Sequence, residues 1–404
     1  MMKAAFFHDN RFARDASGVY YTHGALGYQV LSRYLAHFDR LVVVGRQQGV
    51  TDSMRTVASG PGVEMACTEV LSLPWLMFGP EVRRHVREVM SGIDCAVIRL
   101  PSALGEVACR EAIRTGKPWM VEVVGCAWDS LWNHGSLAGK VLALRGWAET
   151  HRWVRRAPFA LYVSRFLQRR YPSSGMSITC SDVALEQPDA TILERRLSRL
   201  QGGASNRSQV LGLVGSLNVA YKGHETALRA LALVVRAMPQ LRLRFLGEGD
   251  TRRWRRRAEE LGVEGNVEFC GSLPNGRAVL EWMDELDLLV VPSFAEGLGR
   301  AIIEAMSRAL PVIGSNIGGN PELIDPQYTH SPGDHERLAW LIKGLLEKPA
   351  EMRQLAQRNW SKAREYQPDI LEERRNRFFR GFKSYAAGLA SVEGRGGLSR
   401  ASGE

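Results

Sequence analysis

No two of the six cysteines stand at the C-x-x-C spacing that a zinc site or a redox pair needs. Cys67, Cys95, Cys109, Cys126, Cys180 and Cys270 are scattered, most of them in apolar, strand-like runs, which reads as free buried thiols in a reducing cytoplasm. No stretch approaches the ~20 consecutive apolar residues of a membrane-spanning helix. The N-terminus, MMKAAFFHDN, passes from one lysine into an apolar run too short for a signal-peptide core. The composition, 45% hydrophobic and 24% charged, carries no collagen-like, coiled-coil or disordered bias. FLGEGD begins like a dinucleotide fingerprint, but Gly247-x-Gly249 is followed by Asp250-Thr251-Arg252 and the third glycine is missing. That disfavours a nicotinamide-dependent dehydrogenase and leaves a turn at a strand end. There is no internal sequence repeat and no DxD motif placed for a divalent cation.

What the chain does have is length and positive charge. At 404 residues it exceeds the size at which a single core keeps growing, so two domains are expected. A net charge of +10 favours anionic partners: phosphates, nucleic acid or an acidic membrane leaflet. The cluster Arg252–Arg257 (RRWRRR) comes with no nucleic-acid reading motif, so it reads as a solvated helix face and nucleic acid is not an expected partner.

Apolar runs and helical stretches alternate twice along the chain. Strands are expected at 3–7, 41–45, 95–100, 118–125 and 159–164, with helices near 22–37, 80–91, 103–115 and 137–156 between them. Runs such as LVVVG are apolar throughout, as in a parallel strand buried on both faces. The pattern lapses at 185–208, which is polar, Arg-rich and then Gly/Ser/Asn-rich, and it resumes at VLGLVGS. Further strands are expected at 210–216, 241–247, 267–271, 288–293 and 311–315. The expected organisation is a Rossmann-like domain over 1–184, a linker over 185–208, and a second Rossmann-like domain over 209–365. A helix over 366–388 follows, whose Leu371, Phe378, Phe379, Phe382 and Tyr385 need something to pack on, and then a disordered tail over 389–404. Ligands of such folds bind at the carboxyl ends of the strands, here in the cleft between two α/β units.

The segment 290–324, VVPSFAEGLGRAIIEAMSRALPVIGSNIGGNPELI, concentrates the chemistry. A strand ends at Pro292, a loop carries Glu296-Gly297-Leu298-Gly299, and a helix opens with Ile302, Ile303, Met306 and Leu310 on one face. Backbone N–H groups at a glycine-rich helix start can approach a phosphate, and the helix dipole favours its charge. Glu296 and Glu304, eight residues apart, are placed to bracket one extended ligand, since a carboxylate accepts from two vicinal hydroxyls. Taken singly, such glutamates are more often dipole partners or ion-pair members than ligands. Their spacing, the flanking glycines and the strand context coincide only in the functional reading.

The E-x7-E spacing, the EGLG loop, the EAM after it, PVIGS and GG-x-PELI together resemble the donor half of retaining GT-B glycosyltransferases of family 4. VGSLNVAYKG, FLGEG, VEFCG and YVSRFLQRRYP extend the resemblance, which is strong over 209–345 and mainly architectural before it. It implies two facing Rossmann-like domains with a C-terminal helix that crosses back to the first. It implies a nucleotide-sugar substrate, UDP- or GDP-linked, with no cofactor and no metal, and transfer of a hexose-type sugar with retention. The acceptor would be a saccharide or a lipid-linked molecule of polysaccharide or glycoconjugate biosynthesis, and the enzyme cytoplasmic, in contact with the membrane periphery or free of it. By the resemblance, Lys222 holds the diphosphate, Glu296 contacts the transferred sugar, Glu304 the ribose, and the amides of Gly297, Leu298, Gly299 and Arg300 the phosphates. Where members often carry an arginine after the first glycine of the second domain, Gly215 is followed by Ser216; Arg300 is the nearest cationic substitute. In the first domain Gly18 is the candidate for a glycine loop approaching the donor, and Asp129 and His134 for the acceptor side. Rival readings are another enzyme on the same fold, such as an epimerase or a phosphorylase, and a basic binding module without activity.

One helix has two readings. Over 137–156, Leu137, Val141, Leu144 and Ala148 form an apolar stripe beside Arg145, Glu149, Arg152 and Arg156. Such a basic amphipathic surface suits an anionic membrane. The alternative is that the stripe packs on the helix's own sheet.

Overall fold

A computed structural model of the chain describes residues 1–23, 26–49, 56–70, 72–133, 137–187, 189–201 and 208–398. Two sheets divide it. In the first, the parallel strands Lys3–Arg14, Arg40–Gln48, Val63–Met65, Cys95–Leu100, Trp119–Val123, Phe159–Tyr162 and Met176–Thr179 wind outwards in both directions from the first of them. The second sheet repeats the scheme. Val210–Val214 lies between Arg242–Leu246 and Leu288–Val291, with Val267–Phe269 beyond the former and Val312–Ser315 and Thr329–His330 beyond the latter, all parallel. The apolar runs read from sequence are these central strands. Cys95–Leu100, Trp119–Val123 and Leu288–Val291 are buried at every position, because helices cover both faces.

The last helix, Pro368–Leu398, returns to the first domain. Phe378, Phe379 and Phe382 are at most 2% exposed. Their rings meet Phe159 at 5.5 Å from both Phe378 and Phe382, and Tyr34 at 5.7 Å from Phe379. The apolar face that lacked a partner in the sequence thus closes the first domain's core.

Four expectations change. The first strand runs on to Arg14, because its polar continuation HDNRFAR pairs with Arg40–Gln48 and turns back as a hairpin onto Tyr20–Thr22. The helix expected over 22–37 is reduced to Tyr28–Leu31 and a 3-10 segment, Ser32–Ala36. The segment read as a linker contains a helix, Ala190–Gln201, held to the second domain by Arg196. That side chain is buried and donates to the carbonyls of Met283, Leu286 and Arg308, and burial pulls its pKa down to about 10. Lastly, the returning helix continues past 388 to Leu398, as its Ala, Leu, Glu and Arg content permits despite three glycines.

For the helix Leu137–Arg156 the structure contradicts one of the two readings, packing of the stripe on its own sheet. The helix buries Ala143, Thr150, Trp153 and Val154, while Val141 and Leu144 are 75% and 60% exposed. The apolar stripe expected on the sheet therefore faces outwards. No helix among the described residues is long and apolar enough to cross a membrane. All six cysteines are free, four of them buried, and burial pushes the thiols of Cys67 and Cys95 up to about 12.

His224 opens a helix in the second domain and is fully buried between Phe245 and Trp254, at ring distances of 5.3 and 5.0 Å. Burial, reinforced by the charge of Lys222, lowers its pKa from 6.5 to about 4. Because the fold disfavours the protonated ring, its stability is full above pH 6.5 and is lost as the pH falls from there towards 4. A decline of up to about 3 kcal/mol is expected over that window. Melting temperature against pH checks this: His224→Gln should show a shallower acid decline than the wild type.

Candidate functional site

The second sheet reverses its winding at Val210–Val214, so the loops that leave this strand and its neighbour Leu288–Val291 at their carboxyl ends lie side by side. One is Gly215–Gly223, the other Pro292–Gly299. The backbone N–H of Phe294 donates to the Tyr221 carbonyl at 2.7 Å and joins them. Gly223 has φ +79°, and a Cβ there would stand 2.0 Å from the carbonyl oxygen of Pro292, so no other residue fits without moving the second loop. The glycine of the Lys-Gly dipeptide is thereby explained by packing alone.

This contact brings Lys222 and Glu296 together. Lys222 Nζ donates to Glu296 Oε1 at 2.8 Å, and Ser293 Oγ donates to the same oxygen at 2.8 Å. The two side chains are only 25% and 11% exposed. Burial would lower the lysine's pKa, but the carboxylate of Glu296 outweighs it and holds the ammonium above its usual range. The pair is a fixed, charged floor at the point where such sheets bind ligands.

Glu304 lies one turn into the helix Arg300–Ser307, on the same side as Arg300 four residues earlier. It is half-buried, and burial raises its pKa, with Arg300 opposing and Asp182 adding to the shift. Asp182 comes from the end of the first domain and pairs with Arg99 of its sheet. Burial raises its carboxyl, but Arg99 and then Arg300 bring it below its ordinary value. Arg300 is exposed at the helix start, and its charge reaches Lys222, Glu304 and Asp182 alike.

The remaining candidates occupy varied positions. Leu298 is 7% exposed, so only its backbone is available to a ligand, and Gly299 precedes the helix start against Asn320. Ser216 Oγ donates to the Glu248 carbonyl at 3.3 Å across the neighbouring loop. Gly18, with φ +88°, sits at the tip of the first hairpin, its nearest neighbour the Arg14 side chain. The same hairpin reaches the second domain through His23 Nδ1, 3.3 Å from Glu248 Oε2. Asp129 lies 3.9 Å from Arg170, within the first domain. His134 is outside the described residues.

Gly297 and three residues that the sequence reading passed over, Ser164, Glu322 and Asn133, hold the domains against each other. A Cβ on Gly297 would lie 2.2 Å from the Val124 carbonyl, so the Glu296 loop touches the end of a first-domain strand. Ser164 caps the helix Arg165–Arg170 by accepting from Leu167 N–H, and donates its own hydroxyl to the Gly297 carbonyl at 2.8 Å. Glu322 of the PELI stretch accepts from the N–H groups of Phe166 and Arg165 at 2.6 and 3.0 Å, capping that helix from the other domain. Asn133 Nδ2 donates to the Phe294 carbonyl at 3.0 Å. A serine directly before a helical stretch was the available signal for Ser164; nothing local marks Glu322 or Asp182.

Two facing doubly wound domains closed by a returning C-terminal helix are the GT-B architecture. Sucrose-phosphate synthase from Thermosynechococcus elongatus superposes with a TM-score of 0.67 at 16% identity, covering 95% of this chain and 99% of that one. Anabaena HepE in complex with UDP and glucose gives 0.66 at 18%, covering 94% and 100%. Residues 208–348 match the family model of glycosyl transferases group 1. Protein CapJ of Staphylococcus aureus is 31% identical over 352 residues, 86% of this chain and 87% of CapJ. D-inositol 3-phosphate glycosyltransferase of Corynebacterium glutamicum is 32% identical over 150 residues, 35% of each chain. The chain belongs to the glycosyl transferases group 1 family and is a glycosyltransferase.

Glu322→Ala removes a charged cap that joins the domains and is expected to cost about 1–2 kcal/mol. Hydrogen exchange should quicken at the amides of Arg165 and Phe166; unchanged protection there would show that the cap carries no weight.

Proposed function

We propose that the chain transfers a hexose-type sugar from a nucleotide-sugar to a saccharide or lipid-linked acceptor, with retention of configuration and without a metal, as a family 4 enzyme of polysaccharide or glycoconjugate biosynthesis. The observation that carries this is the Lys222–Glu296 pair at the switch point of the second sheet. HepE, which shares the fold, binds UDP, and this supports a nucleotide-sugar donor, read here as UDP- or GDP-linked.

In this reading the donor diphosphate lies against Lys222 and the amides of Gly297, Leu298, Gly299 and Arg300, with the Arg300 guanidinium as the second cation. Glu304 accepts from the ribose hydroxyls, and Ser216 lines the phosphate side. Gly18 approaches the donor from the hairpin that already meets Glu248 through His23. The first domain presents the acceptor, with Asp129 and His134 as its candidates. As the glycosidic bond to phosphate lengthens, negative charge grows on the leaving diphosphate and is met by Lys222, Arg300 and the helix start. The acceptor oxygen enters from the face the diphosphate leaves, and a donor phosphate oxygen takes its proton. Glu296, fixed by Lys222 and Ser293, orients the sugar and stabilises the positive charge developing on it instead of forming a bond to it.

The test combines kinetics and product analysis. Glu296→Gln is expected to lower kcat about 100- to 1000-fold with nucleotide affinity changed much less. Lys222→Ala and Glu304→Ala should weaken donor binding about 10- to 100-fold, read by thermal shift with UDP-, GDP- and ADP-sugars. A labelled donor should yield a glycosylated acceptor of unchanged anomeric configuration, with activity retained in EDTA. Free or epimerised sugar as the product, or unchanged kinetics in all three variants, would overturn the reading.

A further inference from the structure

We infer that the face built by the helices Leu73–Phe78, Ala127–Trp132 and Leu137–Arg156 docks on an anionic lipid bilayer. Large apolar side chains are turned outwards there: Trp75 is 55% exposed, Phe78 59%, Val141 75% and Leu144 60%. Single exposed apolar residues are ordinary, but a cluster of this kind on adjoining helices marks an interaction surface.

The helices adjoin through their cations. The Arg145 guanidinium lies 5.8 Å from the Phe78 ring, and the Lys140 ammonium 5.3 Å from Trp132, which stacks on Trp128 at 5.0 Å. Apolar and basic groups therefore share one face. The helix Leu137–Arg156 carries five Lys and Arg residues against a single Glu. Arg145 is also held by Glu106 and Arg152 pairs with Glu149 at 3.6 Å, and Lys140, Arg152, Arg155 and Arg156 are exposed along the helix. Aromatic and aliphatic groups that enter the acyl boundary, flanked by cations at headgroup level, match an interfacial surface on anionic lipid.

The location agrees. Ala127–Trp132 begins two residues after Gly125, whose Cα lies 3.3 Å from where a Cβ on Gly297 would stand. The docking face thus starts beside the Glu296 loop, where a lipid-borne acceptor would be delivered. Docking stands apart from the transfer chemistry, so its test needs no turnover.

The full chain is sedimented with vesicles of phosphatidylcholine alone and with phosphatidylglycerol added. Binding is expected only with the anionic lipid, and should weaken as salt rises. Val141→Glu with Leu144→Glu should reduce the partition coefficient about tenfold or more, and Lys140→Glu about fivefold. All three positions are exposed, so melting temperature and its shift with nucleotide-sugar should stay at wild-type values. No binding, equal binding to both vesicle types, or binding untouched by the double variant would overturn the inference. So would light scattering in which the double variant turns a dimer into a monomer, since the face would then belong to a second copy.

Discussion

The salt bridge between Lys222 and Glu296 is the contact on which the second domain's loops are organised. Neither residue belongs to a strand or a regular helix interior; each stands in a loop whose position is dictated by the order of the strands behind it. Parallel winding places the two loops together, the absence of a side chain at Gly223 lets them touch, and the half-buried ion pair then fixes their charges at the carboxyl ends of the strands. A cation and an anion only 2.8 Å apart leave this floor balanced, and in the proposed function its ammonium is preformed for a diphosphate.

The same loop also carries the domain seam. Gly297 offers its carbonyl to Ser164 and its bare α-carbon to Val124, while Glu322 caps a first-domain helix. Arg99, Asp182, Arg300 and Glu304 extend the charge network from the first sheet into the helix that follows the loop. Movement of one domain against the other would therefore act directly on the backbone next to Glu296.

The strands and the glycine loop at 296–299 were legible in the sequence for a local reason. A strand buried on both faces is a continuous apolar run, and strand, glycine loop and helix follow one another within 290–324. What was not legible depends on distant partners. HDNRFAR is too polar to read as strand until Arg40–Gln48 and Tyr20–Thr22 flank it. ATILERRLSRLQ reads as a linker until Arg196 finds three carbonyls 87 to 112 residues away. The helix Leu137–Arg156 has two stripes at helical spacing, and the one chosen for the core contains Ala143, Thr150 and Val154 instead of Val141 and Leu144. Periodicity detects an amphipathic helix, but the packing of its neighbours decides which stripe is covered.

The most direct measurement is a crystal structure with an intact or hydrolysed nucleotide-sugar bound. The diphosphate is expected within hydrogen-bonding distance of Lys222 Nζ and of the amides at 297–300, with Glu296 facing the sugar and Glu304 the ribose. A nucleotide bound elsewhere, or one seated there with Lys222 and Glu296 turned away from it, would contradict the account.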